Sequence, residues 1–243
     1  MVKASMTSTI KAEEVAHFGA LAADWWDPKG SSAMLHKLNP VRLGFVRAAV
    51  NDHFGADARA MKPLNGKSVL DVGCGAGLMC EPLARMGGTV TGVDAAPENV
   101  AVAAAHAAGQ GLSINYLCAD VAALSGQYDL VTSMEVIEHV ADPMTFLEAL
   151  AARLAPGGLL ILSTPNRTPL SRLALITVGE GLGQIPKGTH DWNQFLTPEE
   201  LTAHLEAAGF RIARQSGLAF SPTKGFVLSD DRSLNYLLAA MRV

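Results

Sequence analysis

Apolar positions recur along this chain in two rhythms. Val15, Phe18, Leu21, Ala22 and Trp25 fall three or four residues apart, which predicts a helix over 12–26. Asp27-Pro28-Lys29-Gly30 breaks it. Leu43, Val46 and Val50 mark one face of a second helix, with Asn39 as its N-cap and Pro40 as its first residue. The first ten residues carry no period and read as disordered.

From residue 68 onward, short apolar runs alternate with helical stretches. Strands are expected at 68–73, 89–94, 113–118, 128–134 and 159–164, and helices at 77–87, 97–108 and 142–154. This βαβ series folds as a parallel, doubly wound sheet with right-handed crossovers. After Asn166 about thirty residues pass before Thr197-Pro198-Glu199-Glu200, a capping box, opens the next helix. That connection exceeds the usual αβ loop, which marks it as functional. A sixth strand at 210–215 and a seventh near 225–228 complete the count. The expected organisation is a helical extension over 1–60 and an α/β domain over 61–243 with an insertion at 166–192.

Composition narrows the setting. The chain has 243 residues, enough for one α/β domain with a full core. A net charge of −4 and the lack of a basic stripe argue against a nucleic-acid partner. Cys74, Cys80 and Cys118 are odd in number and lack metal-ligand spacing, as in a reducing, cytoplasmic compartment. No long apolar run opens the chain, so neither a signal peptide nor a spanning helix is expected.

The chemistry is concentrated in Val69-Leu70-Asp71-Val72-Gly73-Cys74-Gly75-Ala76-Gly77. A strand that ends in a glycine loop and opens a helix holds adenosine cofactors: the loop backbone approaches the ligand and the helix N-terminus favours an anion. Asp71 inside the strand and the missing third glycine of the dinucleotide spacing make a nicotinamide dehydrogenase the weakest reading. The second strand ends in Asp94, whose carboxylate can accept both ribose hydroxyls. Together Asp71, Gly73, Gly75, Gly77 and Asp94 resemble the S-adenosylmethionine (SAM) site of class I methyltransferases. A sulfonium methyl already has a good leaving group, so the protein need only align the attack and deprotonate the nucleophile.

After strand four comes Glu135-Val136-Ile137-Glu138-His139, at the sheet edge where such folds bind ligands. Glu135, Glu138 and His139 offer a ligand set for Mg²⁺ or another divalent cation, which would acidify a phenol. The same run reads equally as a turn cap with one residue on the cofactor. Lys187 and His190, at the end of the insertion, are further candidates for taking a proton or holding an oxyanion, and His139 and Glu135 complete the catalytic set. His36, His53, His106 and His204 show no partner pattern and read as surface or helix residues. Trp25 and Trp26 read as core packing before cofactor wall.

Several runs resemble one family, the ubiquinone-biosynthesis O-methyltransferases. They are Trp25-Trp26-Asp27, His36-Lys37-Leu38-Asn39-Pro40-Val41-Arg42-Leu43-Gly44, the glycine loop, Met134 to Val140, Ser163 to Arg167, Pro186-Lys187-Gly188-Thr189-His190-Asp191, and Asp231 to Tyr236. The resemblance implies a Rossmann-like, seven-stranded, mostly parallel sheet with helices on both faces, plus N-terminal helices and an inserted lid. It implies SAM contacts at Arg42, Gly73, Asp94 and Met134, with Arg42 meeting the methionine carboxylate. It also implies a divalent ion at Glu135, Glu138 and His139. The implied substrates are polyprenylated phenols and catechols, 2-polyprenyl-6-hydroxyphenol and 3-demethylubiquinol, and the implied partners are other ubiquinone-biosynthesis proteins.

The insertion adds a membrane expectation. Leu170, Leu173, Ala174, Thr177 and Val178 fall at helical spacing, Leu175, Ile176, Leu182 and Ile185 widen the apolar surface, and Arg167, Arg172 and Lys187 flank it. Glycines interrupt it too often for a span, so it either lies on an anionic membrane surface, at the inner face of the cytoplasmic membrane, or packs as a lid on the enzyme itself. Two other functions stay open from sequence: a class I methyltransferase for another small phenol or amine, and a SAM-binding sensor or assembly protein without transfer activity.

Overall fold

The computed structural model describes residues 8–57, 59–181 and 185–243. Leu182, Gly183 and the first seven residues, on which some expectations above fall, lie outside the described residues. The chain begins with α1 (Ala12–Ala20) and α2 (Ala33–Phe54), then runs β1 (Ser68–Val72), α3 (Cys80–Arg85), β2 (Thr89–Asp94), α4 (Pro97–Gly109), β3 (Asn115–Cys118) and β4 (Tyr128–Met134). It continues through α5 (Pro143–Arg153), β5 (Leu154–Pro165), α6 (Pro169–Ser171), α7 (Pro198–Ala207), β6 (Phe210–Ser221), β7 (Gly225–Ser229) and β8 (Asn235–Arg242).

Among the described residues the sheet has eight strands in the order β3-β2-β1-β4-β5-β8-β6-β7, where seven were expected. β1 to β5 are parallel, as the alternating pattern predicts. The unexpected strand is β8, which inserts antiparallel between β5 and β6. Asn-Tyr-Leu-Leu-Ala-Ala-Met-Arg lacks strand alternation because both of its faces are buried, and it is rich in helix formers. β6 also runs six residues past its expected end at 215, because it pairs with β8 and then with β7.

Adjacent strand residues face opposite sides, so the core divides in two. Leu70, Val131, Leu160 and Leu238 pack with α5 and α7 on one face. Val69, Leu130, Ile161 and Leu237 pack with α2 and α3 on the other. Asp142 caps α5 through Met144 N and Thr145 N, and Thr197 with Glu200 forms the expected capping box on α7.

Two N-terminal expectations change. α1 stops at Ala20; a short 3-10 turn, Ala22–Asp24, follows, and Asp24 then folds forward to accept from Ser31 N and Oγ. α2 starts at Ala33, so Pro40 lies inside it and Asn39 caps nothing. The proline forfeits one backbone bond, but the extra turns place Leu38 and Val41 against the core. The insertion is helical: α6 runs on as a π-helix, Arg172–Glu180. No helix among the described residues is long and apolar enough to cross a membrane.

β8 also anchors the α7 connection. Tyr236 is fully buried and its hydroxyl donates to the Leu196 carbonyl at 3.0 Å. Replacing Tyr236 with Phe leaves that carbonyl without a partner and is expected to cost about 1–2 kcal/mol in urea unfolding. An unchanged midpoint would show that the bond contributes nothing.

Candidate active site

The strand order reverses between β1 and β4, and the crevice beyond their carboxyl ends is where such sheets hold ligands. A cavity of about 470 Å³ lies there. Its wall includes Asp71, Gly73, Cys74, Asp94, Asp120, Met134, Glu135, His139 and His190, roofed by Thr9, Glu14, Phe18, Trp25 and Arg42 from the N-terminal residues. The far side is apolar: Ala174, Leu175, Val178 and Ile185 from the insertion, and Phe220 and Phe226 from the β6–β7 hairpin.

The loop after β1 is shaped by its acids. Asp94 Oδ2 accepts from Gly75 N at 2.9 Å, and Oδ1 accepts from Ala96 N at 2.9 Å and Asn99 Nδ2 at 3.1 Å. Burial raises the Asp94 pKa despite these bonds. Asp71, expected as a cofactor contact, lines the cavity and is held by internal bonds: it accepts from Thr132 Oγ1 at 2.6 Å and Cys80 Sγ at 3.3 Å, and burial pushes its pKa up to about 6. Gly75 and Gly77 both have positive φ but do not reach the cavity wall. A Cβ on Gly75 would strike the Trp25 ring, and one on Gly77 the Tyr116 hydroxyl, so packing requires glycine at both positions.

Glu135 has a left-handed backbone, φ 56°, alone in this among the described non-glycine residues. The turn sends its carboxylate to β5 and β8. Oε1 accepts from Ser163 Oγ at 2.6 Å, Oε2 accepts from Asn235 Nδ2 at 2.7 Å, and Arg42 Nη2 stands 3.0 Å from Oε1. Arg42 is 2% exposed, and its Nη2 pairs by charge without hydrogen-bond alignment. Nε and Nη2 therefore keep donor capacity.

Glu138 turns elsewhere. Its Oε2 accepts from Thr164 Oγ1 at 2.9 Å and Oε1 is unpartnered. Burial, then the charge of Glu135, pushes its pKa up to about 7. His139 Nδ1 meets Glu14 at 3.2 Å, while Nε2 is 4.0 Å from Glu138. The three expected metal ligands thus point to three different partners. Among the described residues no group of three or more His, Cys, Asp or Glu side chains is placed to share an ion. The residues do not fit a metal site, and no step below uses one.

Lys187, an expected catalytic residue, is exposed and absent from the cavity wall. His190 is in the wall: its Nδ1 is 3.2 Å from Glu180, which also accepts from His190 N at 2.9 Å and Gly188 N at 2.7 Å. The His139 and His190 rings are 6.2 Å apart. Burial opposes charge on His139, but its bond to Glu14 and the charges of Glu138 and Glu135 outweigh it and raise its pKa. Burial, then the charge of His139, lowers the His190 pKa.

Several partners escaped the sequence. Glu14, Glu180, Ser163 and Asn235 orient these groups from distant positions, and only Glu180, an acid in an apolar helix, left a local signal. Asp120, two residues after β3, accepts from Ser8 Oγ, Thr9 N and Thr9 Oγ1. His106 and His36, read as lacking partners, have them: His106 stacks on Trp26 at 3.5 Å and meets Glu81 at 2.5 Å, and His36 Nε2 is 2.8 Å from the Trp25 carbonyl. Trp26 Nε1 donates to the Ala76 carbonyl at 3.0 Å, so the tryptophans clamp the glycine loop.

Fold and loop together define a class I, SAM-dependent methyltransferase, and residues 46–215 match the methyltransferase domain family. The magnesium protoporphyrin IX methyltransferase of Synechocystis, solved with bound SAM, superposes with a TM-score of 0.64 at 21% identity over 98% of this chain and all of that one. Sequence relatives are far nearer. The ubiquinone biosynthesis O-methyltransferase of Azorhizobium caulinodans is 45% identical over 98% of this chain and 96% of that protein. That of Cereibacter sphaeroides is 45% identical over 98% and 99%. The chain belongs to the ubiquinone biosynthesis O-methyltransferase family.

Two variants test the site. Asp94→Ala removes the organiser of the loop and a charged acceptor, and SAM affinity by titration calorimetry is expected to drop about tenfold or more. Arg42→Ala strands the Glu135 carboxylate. It should destabilise the cofactor-free protein by about 3 kcal/mol, with Glu135→Gln in the same chain restoring much of the melting temperature but not the SAM affinity. Unchanged stability in Arg42→Ala would show the ion pair to be idle.

Proposed function

We propose that the protein methylates the hydroxyls of polyprenylated phenol and catechol intermediates, among them 2-polyprenyl-6-hydroxyphenol and 3-demethylubiquinol. One observation carries this reading. A single cavity joins the glycine loop to an apolar wall formed by the insertion and the β6–β7 hairpin, with two histidines of opposite proton affinity between its walls. Of the segments 1–60, 61–243 and 166–192, the described residues act as its roof over the cofactor, as the transferase domain and as the lid, in that order.

SAM, when bound, supplies a methyl group on a sulfonium that departs as a neutral thioether. Arg42, with its unspent donors, holds the methionine carboxylate, and Asp94 faces the ribose. Glu180 fixes the His190 tautomer: Nδ1–H donates to it, which leaves the Nε2 lone pair as acceptor. With a lowered pKa, His190 is neutral at pH 7 and takes the phenol proton. His139, whose proton affinity is raised by its bond to Glu14, stabilises the phenolate when charged.

The helix over 169–180 turns Ala174, Leu175 and Val178 to the cavity while Leu170 and Leu173 are exposed; Val178, and Phe220 on the hairpin, line the cavity and are also exposed at its rim. This exposed rim sits on an anionic membrane, at the inner face of the cytoplasmic membrane, where a prenylated substrate resides. Of the basic flank, Arg167 pairs with Glu200 and Arg172 lies over Trp192, which leaves Lys187 for headgroups.

S-adenosylhomocysteine formation with a prenylated catechol tests the activity. Turnover should follow a bell: rising as His190 loses its proton below its ordinary value of 6.5, and falling as His139 loses its own above it. His190→Gln should lower kcat about a hundredfold and remove the acid limb, and His139→Gln should remove the alkaline one. Equal turnover of a catechol without its prenyl chain would overturn the substrate class. For the membrane, anionic vesicles should co-sediment the protein and lose it when Leu170 and Leu173 become Glu. Identical sedimentation of the folded variant would sink that contact.

A further inference from the structure

The cavity wall holds a donor that the reading above leaves unused. Trp25 lines the cavity, and its Nε1 is buried without a hydrogen-bond partner. The chain has three tryptophans, and the other two indole N–H groups are spent. Trp26 donates to the Ala76 carbonyl at 3.0 Å and Trp192 to the Thr168 carbonyl at 3.0 Å. A buried indole N–H usually finds an acceptor, so this one awaits a ligand.

The ring is held in place. It lies against Gly75, where a Cβ would strike it. Its own carbonyl meets His36, and the next residue, Trp26, is stacked on His106 with the planes 7° apart. Among the described residues the other buried side-chain N–H groups in the wall without a hydrogen bond are Nε and Nη2 of Arg42, also from the N-terminal residues; Nη2 is ion-paired to Glu135 and Nε has no partner. The wall's unpartnered acceptors, Oδ1 of Asn99 and of Asn235, belong to α4 and β8, beside Asp94 and Glu135. A donor-only set of one indole and one guanidinium is complementary to an anion, and the anion that SAM carries is its amino-acid carboxylate.

We propose that Trp25 Nε1 is a second donor, with Arg42, to the amino-acid carboxylate of SAM. This rests on the assignment of the cavity to SAM. The roof then contributes a neutral donor as well as a charged one, and the residue that covers the glycine loop also reads the cofactor's amino-acid end.

The test compares S-adenosylhomocysteine with 5′-methylthioadenosine, which keeps the nucleoside and lacks the amino acid. In ¹H–¹⁵N spectra of the whole protein, the three indole signals are resolved and assigned. S-adenosylhomocysteine should move the Trp25 signal downfield and slow its exchange, and 5′-methylthioadenosine should not. By calorimetry, Trp25→Phe should weaken S-adenosylhomocysteine about tenfold and leave 5′-methylthioadenosine unchanged, which also shows the variant to be folded. A bound S-adenosylhomocysteine that leaves the Trp25 signal in place, or equal weakening of both ligands, overturns the proposal while leaving the cofactor reading intact. No binding of S-adenosylhomocysteine by the unaltered protein overturns both.

Discussion

An ion pair between a buried guanidinium and a partly buried carboxylate at the end of β4 organises this molecule. The Glu135 carboxylate gathers Arg42 from α2, Ser163 from β5 and Asn235 from β8. A shielded ion pair is stable only when its remaining lone pairs are filled, and the hydroxyl and the amide fill them. The left-handed backbone at Glu135 costs about 1–3 kcal/mol and is the geometry that lets the side chain reach all three. The roof of the cavity and its floor are therefore fastened at one point, and neither is set without the other.

The same logic governs the two histidines. Each imidazole is gripped by one carboxylate from a peripheral element, His139 by Glu14 of α1 and His190 by Glu180 of the π-helix. Their proton affinities diverge because burial wins at one and ionic partners win at the other. Acid–base character in this site belongs to the roof and the lid as much as to the sheet. A π-type helix widens its turns and is uncommon outside functional positions, and here it carries Glu180 to the loop over 188–190.

The sequence made the parallel half of the sheet legible because each strand there is a short apolar run closed by a turn. The glycine loop, Asp94 and the run from Met134 to His139 were legible for the same local reason. What stayed hidden was set by tertiary contact. β8 is buried on both faces and spelled in helix formers. The start of α2 is decided by packing of Leu38 and Val41 against a distant core, against the local signal of Pro40. The divergence of Glu135 and Glu138 turns on a single positive φ, which a Glu does not advertise. Trp25 looked like core because its apolar spacing continues that of α1; only the fold shows that it lies on Gly75 and lines the cavity.

The position of β8 bears on how the molecule is made. It lies between β5 and β6 yet follows both in the chain. While the polypeptide emerges from the ribosome, β5 has one edge open and β6 has no neighbour on that side. Both expose unpaired backbone until residues 235–242 arrive. Asn235 arrives at the same moment, so Glu135 gains its last partner only then. The nascent chain thus carries an adhesive sheet edge from the completion of β5 until β8 is made, and quality control in the cell has its opportunity in that interval.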